Sequence, residues 1–252
     1  MFKIAFLFDK DNDWIETFFP DKLQKLSHFS MKKFYTPDQI SGFDVVFALG
    51  YSKILSEPFL KSNKLSMTVH ESALPLGKGF APTQWQIIEG YDEITVSLIE
   101  LKKVVDSGDI YEQTKITFAG TELYEEIRRI QANATFDLII KFLKNYPNNH
   151  RIKQIGKESF YRKRTPKDSE LDIDKTIRES FNLLRVCNNN DWPAFFQFKG
   201  KVFRSIQNTS SSWMYFFTNK RTEIRNGWFF VNIKNQFSIF ANIQAQLFIW
   251  DL

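Results

Sequence analysis

Short, wholly apolar runs alternate along this chain with longer stretches in which apolar residues recur every three or four positions. Ile4 to Phe8 is a continuous apolar run closed by Asp9, and Phe43 to Leu49 repeats the pattern up to Gly50. A run that is apolar at successive positions has no solvent face, as expected of a strand covered on both sides in a parallel sheet. Leu65 to His70 predicts a third strand. Ile94 to Ile99 alternates and is rich in β-branched residues, which predicts a fourth, and Tyr111 to Phe118 predicts a fifth.

Helical spacing lies between and after these runs. Ile15 to Leu26 predicts an amphipathic helix, and Pro82 to Glu89 a short one, with proline near its start and Gly90 beyond its end. The longest helix is predicted over 121–146, with Thr121 as its N-cap and Glu122, Glu125 and Glu126 where the helix dipole favours acids. Leu123, Ile127, Ile130, Ala134, Leu138 and Phe142 keep helical spacing until Pro147 stops it. A further helix is predicted from Asp174 to Cys187. Strands alternating with helices imply an α/β layered domain over about residues 1–120, closed by the long helix.

Asn145-Tyr-Pro-Asn-Asn-His150 marks the first boundary, and a basic stretch, Lys157 to Lys167, follows it. From about residue 203 the composition turns rich in Phe and Trp, with turn residues at Thr209 to Ser212. Phe229 to Ile233 and Phe237 to Ile243 suggest strands of a small β appendage. The expected division is a core over 1–150, an extension over 151–202 and a divergent β-rich tail over 203–252.

Composition adjusts this picture modestly. The 252 residues include 27 Phe and are 16% aromatic, so core and pocket are expected to be aromatic-rich. A net charge of +5 suits phosphate-bearing small molecules but is too mild to argue for nucleic acid. The single cysteine, Cys187, sits in an apolar helical run and reads as a packed thiol rather than a nucleophile. It cannot form a disulfide within the chain, which suits a reducing cytoplasm. The first apolar run is too short for a signal peptide, and no stretch reaches the ~20 apolar residues of a membrane span. The expectation is a cytoplasmic enzyme without metal, membrane contact or nucleic-acid partner, with a homodimer left open.

The candidate chemistry lies at His70. It ends a predicted strand and opens a Pro- and Gly-rich loop, His70-Glu-Ser-Ala-Leu-Pro-Leu-Gly-Lys-Gly-Phe-Ala-Pro82. Ligands of open α/β sheets bind outside such strand ends. A lone histidine there is more often a satisfied core residue. A second loop, Val105-Asp-Ser-Gly-Asp-Ile110, offers a carboxylate where another apolar segment meets a glycine turn, 36 residues on.

These two segments together resemble the formyltransferase family, which includes methionyl-tRNA, glycinamide ribonucleotide and nucleotide-sugar N-formyltransferases. His70, Ser72, Leu74, Pro75, Lys78-Gly79 and Pro82 match its first motif, and Asp106, Gly108, Asp109 and Ile110 its second. The resemblance implies a Rossmann-like core with a mixed or parallel sheet and N10-formyltetrahydrofolate as co-substrate. It implies His70 and Asp106 as the catalytic pair and places the family's catalytic Asn at Thr68, a departure that removes an amide donor. It further implies co-substrate contacts from Tyr51, Ile54, Leu55, Lys78, Gly79, Gly108 and Asp109. Phe160 to Asp172, Ile177 to Arg185, Trp192 to Phe196 and Phe198 to Gly200 resemble the branch acting on nucleotide-linked 4-amino-dideoxy sugars. That implies a nucleotide-activated amino sugar as acceptor, met by Ser72, Tyr161, Arg162, Arg164 and Trp192, with the two arginines as a diphosphate clamp. A methionyl-tRNA formyltransferase and a folate- or nucleotide-sugar-binding protein that has lost the chemistry remain as alternatives.

Overall fold

A computed structural model describes residues 1–208, 213–218, 228–232 and 239–242. In chain order the strands are β1 (Phe2–Phe8), β2 (Phe29–Phe34), β3 (Val45–Leu49), β4 (Ser66–His70), β5 (Lys78–Gly79), β6 (Glu93–Glu100), β7 (Ile110–Thr117), β8 (Phe160–Tyr161), β9 (Phe195–Phe198), β10 (Lys201–Asn208), β11 (Trp213–Thr218), β12 (Trp228–Asn232) and β13 (Ile239–Asn242). The α-helices are α1 (Asp21–Gln24), α2 (Glu57–Lys61), α3 (Pro82–Ile88), α4 (Tyr124–Asn145) and α5 (Ile177–Arg185).

The chain divides into two compact units that exchange segments along the sequence. One comprises residues 1–85, 93–117 and 128–163, and the other 86–92, 118–127 and 164–252. The first is built on a six-stranded sheet in the order β2-β1-β3-β4-β6-β7. β1 to β4 run parallel, whereas β6 is antiparallel to β4, and β7 to β6. The unbroken apolar runs become the central strands for the expected reason, since Ile4 to Phe8 and Val45 to Leu49 are buried throughout. One face carries Phe6, Phe8 and Phe47, which meet Phe19 and Phe142 edge to face, and Phe19 in turn meets Phe136. The other carries Ala5, Leu7, Val46 and Ala48, packed with Ile40 and Phe59. β5 and β8 form a separate parallel pair.

Two local expectations are corrected. The helix expected over Ile15 to Leu26 is instead a 3₁₀ segment, Asp13–Phe18, followed by α1. Phe19 between them has φ −59° and ψ 116°, because a residue before proline avoids the helical region. Thr121 does not cap α4, which begins at Tyr124. Glu122 instead accepts from the Ala119 and Gly120 N–H groups, and Glu126 from that of Leu123 just before the helix. β2, an edge strand, and α2 lack the apolar continuity that reveals the others. Among the described residues no helix is long and apolar enough to cross a membrane.

The second unit holds α5 and a five-stranded antiparallel sheet in the order β13-β12-β11-β10-β9. Its core joins Leu123, Leu184, Cys187 and Ala194. Cys187 is fully buried, and burial pushes its thiol upward, as expected of a packed residue. Thr176 and Glu179 close a capping box at the start of α5. Of the strands suggested in the tail, the described parts are β12 and β13; Ile233, Phe237, Ser238 and Ile243 lie outside the described residues.

Candidate active site

His70 is the last residue of β4 and is 6% exposed. Its Nδ1 lies 3.6 Å from Asp106 Oδ1, and its Nε2 lies 2.8 Å from the Gly77 carbonyl oxygen. The other Asp106 oxygen accepts from the Gly79 N–H at 2.9 Å. The Pro- and Gly-rich loop therefore holds both members of the pair. Both ring nitrogens face acceptors, so a neutral imidazole satisfies one and an imidazolium both.

Asp106 reaches this place by an indirect route. Because β6 runs against β4, Glu100 pairs with Met67 rather than with His70, and the Leu101 N–H bonds the Ser66 carbonyl. The loop after β6 thus leaves beside the start of β4 and must fold back to reach its end. Asp106 sits in the left-handed region at φ 53° within that loop. Gln154 Nε2 ties the loop by donating to the Asp106 and Gly108 carbonyls, each at 2.8 Å. A Cβ on Gly108 would lie 1.7 Å from the Glu100 carbonyl oxygen, so only glycine fits there.

The residues named for the co-substrate separate into groups. Gly79, at φ +100°, packs against the Tyr161 backbone, where a Cβ would lie 2.3 Å from the carbonyl oxygen. Lys78 is buried and its ammonium is held 2.5 Å from Glu158 Oε1. Asp109 lies 3.6 Å from Arg151 Nε. Tyr51 and Leu55 pack on the apolar face of β1 and β3, whereas Ile54 projects into solvent at 82% exposure. Thr68 Oγ1 donates to the Ala48 carbonyl at 2.8 Å, so its hydroxyl proton is already committed.

Among the residues named for the acceptor, Ser72 is buried and its Oγ has no partner among the described residues. Tyr161 stacks parallel to Trp85 at 6.4 Å, and the Arg162 guanidinium lies 4.8 Å over the Trp85 ring. Arg164 is buried and donates to the Asp168 carbonyl and to Ser169 Oγ within the second unit. Trp192 is partly exposed in that unit, its N–H held by Asn188.

Glu71 was not singled out from the sequence. Desolvation pushes its carboxyl above the usual range, His70 and Arg128 pull it back, and Asp106 adds to the rise. Its position next to His70 was the available signal. Ser159, whose hydroxyl accepts from the Gly77 N–H at 2.8 Å, carried none. A cavity of about 360 Å³ lies elsewhere, lined by Phe6, Phe19, Phe29, Met31, Lys32 and Lys33.

An α/β sheet with a histidine–carboxylate pair at a parallel strand's end defines the class: a Rossmann-like domain with a polar site outside its sheet. Residues 25–141 match the model of the formyl transferase family. It is 29% identical over 189 residues to the bifunctional polymyxin resistance protein ArnA of Wigglesworthia glossinidia brevipalpis, covering 73% of this chain and 28% of that protein. It is 28% identical over 167 residues to the methionyl-tRNA formyltransferase of Lactobacillus johnsonii, covering 64% of this chain and 52% of that one. The chain thus spans between about a quarter and a half of these relatives' lengths. A solved 4-N formyltransferase from Francisella tularensis shares the fold at a TM-score of 0.66 and 18% identity, covering 82% of this chain and 97% of that one.

Proposed function

We propose that this protein transfers the formyl group of N10-formyltetrahydrofolate to the amine of a nucleotide-linked amino-dideoxy sugar. The observation that carries the reading is the His70–Asp106 pair, 3.6 Å apart within the family-matched stretch although 36 residues separate them in the chain.

In this reaction a bond forms between the acceptor nitrogen and the formyl carbon, the bond to the folate nitrogen breaks, and the proton lost by the acceptor amine ends on that folate nitrogen. His70 takes that proton or donates to the formyl oxygen as charge builds there. Asp106 anchors the ring at Nδ1 and leaves Nε2 as the working nitrogen, which must exchange the Gly77 carbonyl for substrate. Holding amine and formyl carbon together supplies much of the acceleration. Thr68 contributes no donor while its proton rests on Ala48. The unpartnered Ser72 hydroxyl supports a substrate contact beside His70, since a buried hydroxyl normally has a partner. Arg162 and Tyr161 remain proposed acceptor contacts. Arg164, buried inside the second unit with its Nη2 donating to Asp168 and Ser169, supports a structural role better than a phosphate clamp.

The committed Thr68 hydroxyl also favours a second reading, a folate-binding protein without chemistry. The test is mass spectrometry of UDP-, dTDP- and GDP-linked amino sugars incubated with the protein and formyl-folate. A gain of one CO unit on one of them is expected. Folate binding without product on any sugar supports the second reading, and formylation of methionyl-tRNA instead would replace the acceptor.

A further inference from the structure

We infer that Gln154 and Ser159 are positioning residues: they fasten one strap, residues 152–161, to both loops of the site and so set Asp106 against His70. At one end of the strap Ile152 and Ile110 exchange both backbone hydrogen bonds, each at 2.8 Å. At the other, β8 runs beside β5, with Phe160 paired to Lys78 and Tyr161 to Gly79. The Ser159 carbonyl accepts from the Lys78 N–H at 2.9 Å. Two side chains between these ends reach the loops themselves. Gln154 Nε2 spends its two hydrogens on the Asp106 and Gly108 carbonyls, each at 2.8 Å. Ser159 Oγ accepts from the Gly77 N–H at 2.8 Å, and the carbonyl of that same Gly77 lies 2.8 Å from His70 Nε2.

The Asp106 loop needs such a fastening. It has to fold back from the start of β4 to its end, and Asp106 holds φ 53°, a backbone conformation that a residue with a side chain adopts at a cost. Two carbonyls converging on one amide nitrogen curl the chain at that residue. The carboxylate itself adds only the bond from the Gly79 N–H. Gln154 Oε1 is buried with no partner among the described residues. An acceptor left open in the interior costs stability, so what this amide contributes lies in its two donor bonds. Those bonds end on the Asp106 backbone, and the Ser159 bond ends on the Gly77 backbone. Any effect on chemistry therefore passes through position, where about 1 Å of displacement costs on the order of a hundredfold in rate.

The catalytic half of the inference rests on the formyl-transfer reading above, and the test keeps the two apart. Formyl-transfer kinetics are measured on the full chain, and ring-nitrogen signals are followed by NMR on isotope-labelled histidine. Gln154→Ala and Gln154→Glu should each lower kcat roughly tenfold to a hundredfold with KM for both substrates within about twofold. The His70 ring signals should move, while those of His28, which precedes β2, stay in place. Ser159→Ala should act the same way, and Ser159→Thr, which keeps the hydroxyl, should return kcat to within about twofold of wild type. Ser159 is exposed, so this second pair decides the question should Gln154→Ala fail to fold. Gln154→Ala combined with Asp106→Ala should be no slower than Asp106→Ala alone, because residues acting through one contact are not additive. Unmoved His70 signals in Gln154→Ala and Ser159→Ala, a kcat equal to wild type, or a rise in KM at constant kcat would overturn the strap. A wild-type chain that transfers no formyl group, with His70 signals that still move in the variants, would refute the transfer reading and leave the strap standing.

Discussion

Asp9 and Asp106 are the same side chain put to opposite uses in one domain. Asp9 is closed: its oxygens are filled by neutral donors from Ser52 and Asp11, and those bonds hold its carboxyl below the usual range. Asp106 is open: it has one firm donor, the Gly79 N–H, and its other oxygen faces the His70 imidazole at 3.6 Å. A carboxylate with both oxygens bonded to neighbouring donors rigidifies its surroundings. One with an oxygen aimed at a titratable ring can orient that ring and follow its charge. The role comes from the partners rather than from the residue type.

The largest effect that tests this contrast is on turnover. His70→Ala and Asp106→Ala should each lower kcat by roughly 10²–10⁴-fold while circular dichroism and melting temperature stay close to wild type. Equal losses of kcat from Asp106→Ala and Asp9→Asn would erase the distinction.

A smaller effect separates the supports of the two carboxylates. Gly79 donates to Asp106 from a left-handed backbone at φ +100°, and a Cβ there would lie 2.3 Å from the Tyr161 carbonyl oxygen. Gly79→Ala is expected to cost about 2–4 kcal/mol in urea unfolding through backbone strain and displacement of that strand. Gly120→Ala, also at positive φ but in open space, should cost only about 1 kcal/mol. Similar losses at the two sites would show that the packing around Gly79 is loose.

The smallest expected effect is on acid stability. Asp9 and Asp44 both have carboxyls held below 3.8, Asp9 chiefly by the Ser52 hydroxyl and Asp44 chiefly by the Lys3 N–H and then Lys64. A carboxyl depressed in the folded state adds stability at pH values above its unfolded value. That stability fades as pH falls through the folded value, because the unfolded chain binds the proton first. Urea unfolding from pH 6 down to pH 3 should therefore show Asp9→Asn losing less stability than wild type over that interval. Identical slopes would mean the Asp9 bonds do not favour its charged form.

Several features were legible before any coordinates. Ile4 to Phe8 and Val45 to Leu49 are apolar at every position, and that pattern fits only a strand covered on both faces. His70 at the end of the strand predicted over Leu65 to His70, with Asp106 on a second glycine-containing loop, marked the candidate pair that the structure brings together. The break at Pro20 was also written locally and outweighs the apolar spacing that spans it. The start of α4 was less legible, because Glu122 and Glu126 compete with Thr121 for the same role.

By itself the sequence determined which segments are buried and where strands stop, because burial periodicity, proline and glycine act over a few neighbouring positions. Only the tertiary structure decided that β6 runs against β4, so that the Asp106 loop must fold back to His70. It alone turned Arg164 inward and set Asp9 on Ser52, 43 residues away. Such pairings depend on which strand lies beside which, and that order is fixed by packing the whole sheet rather than by any local pattern.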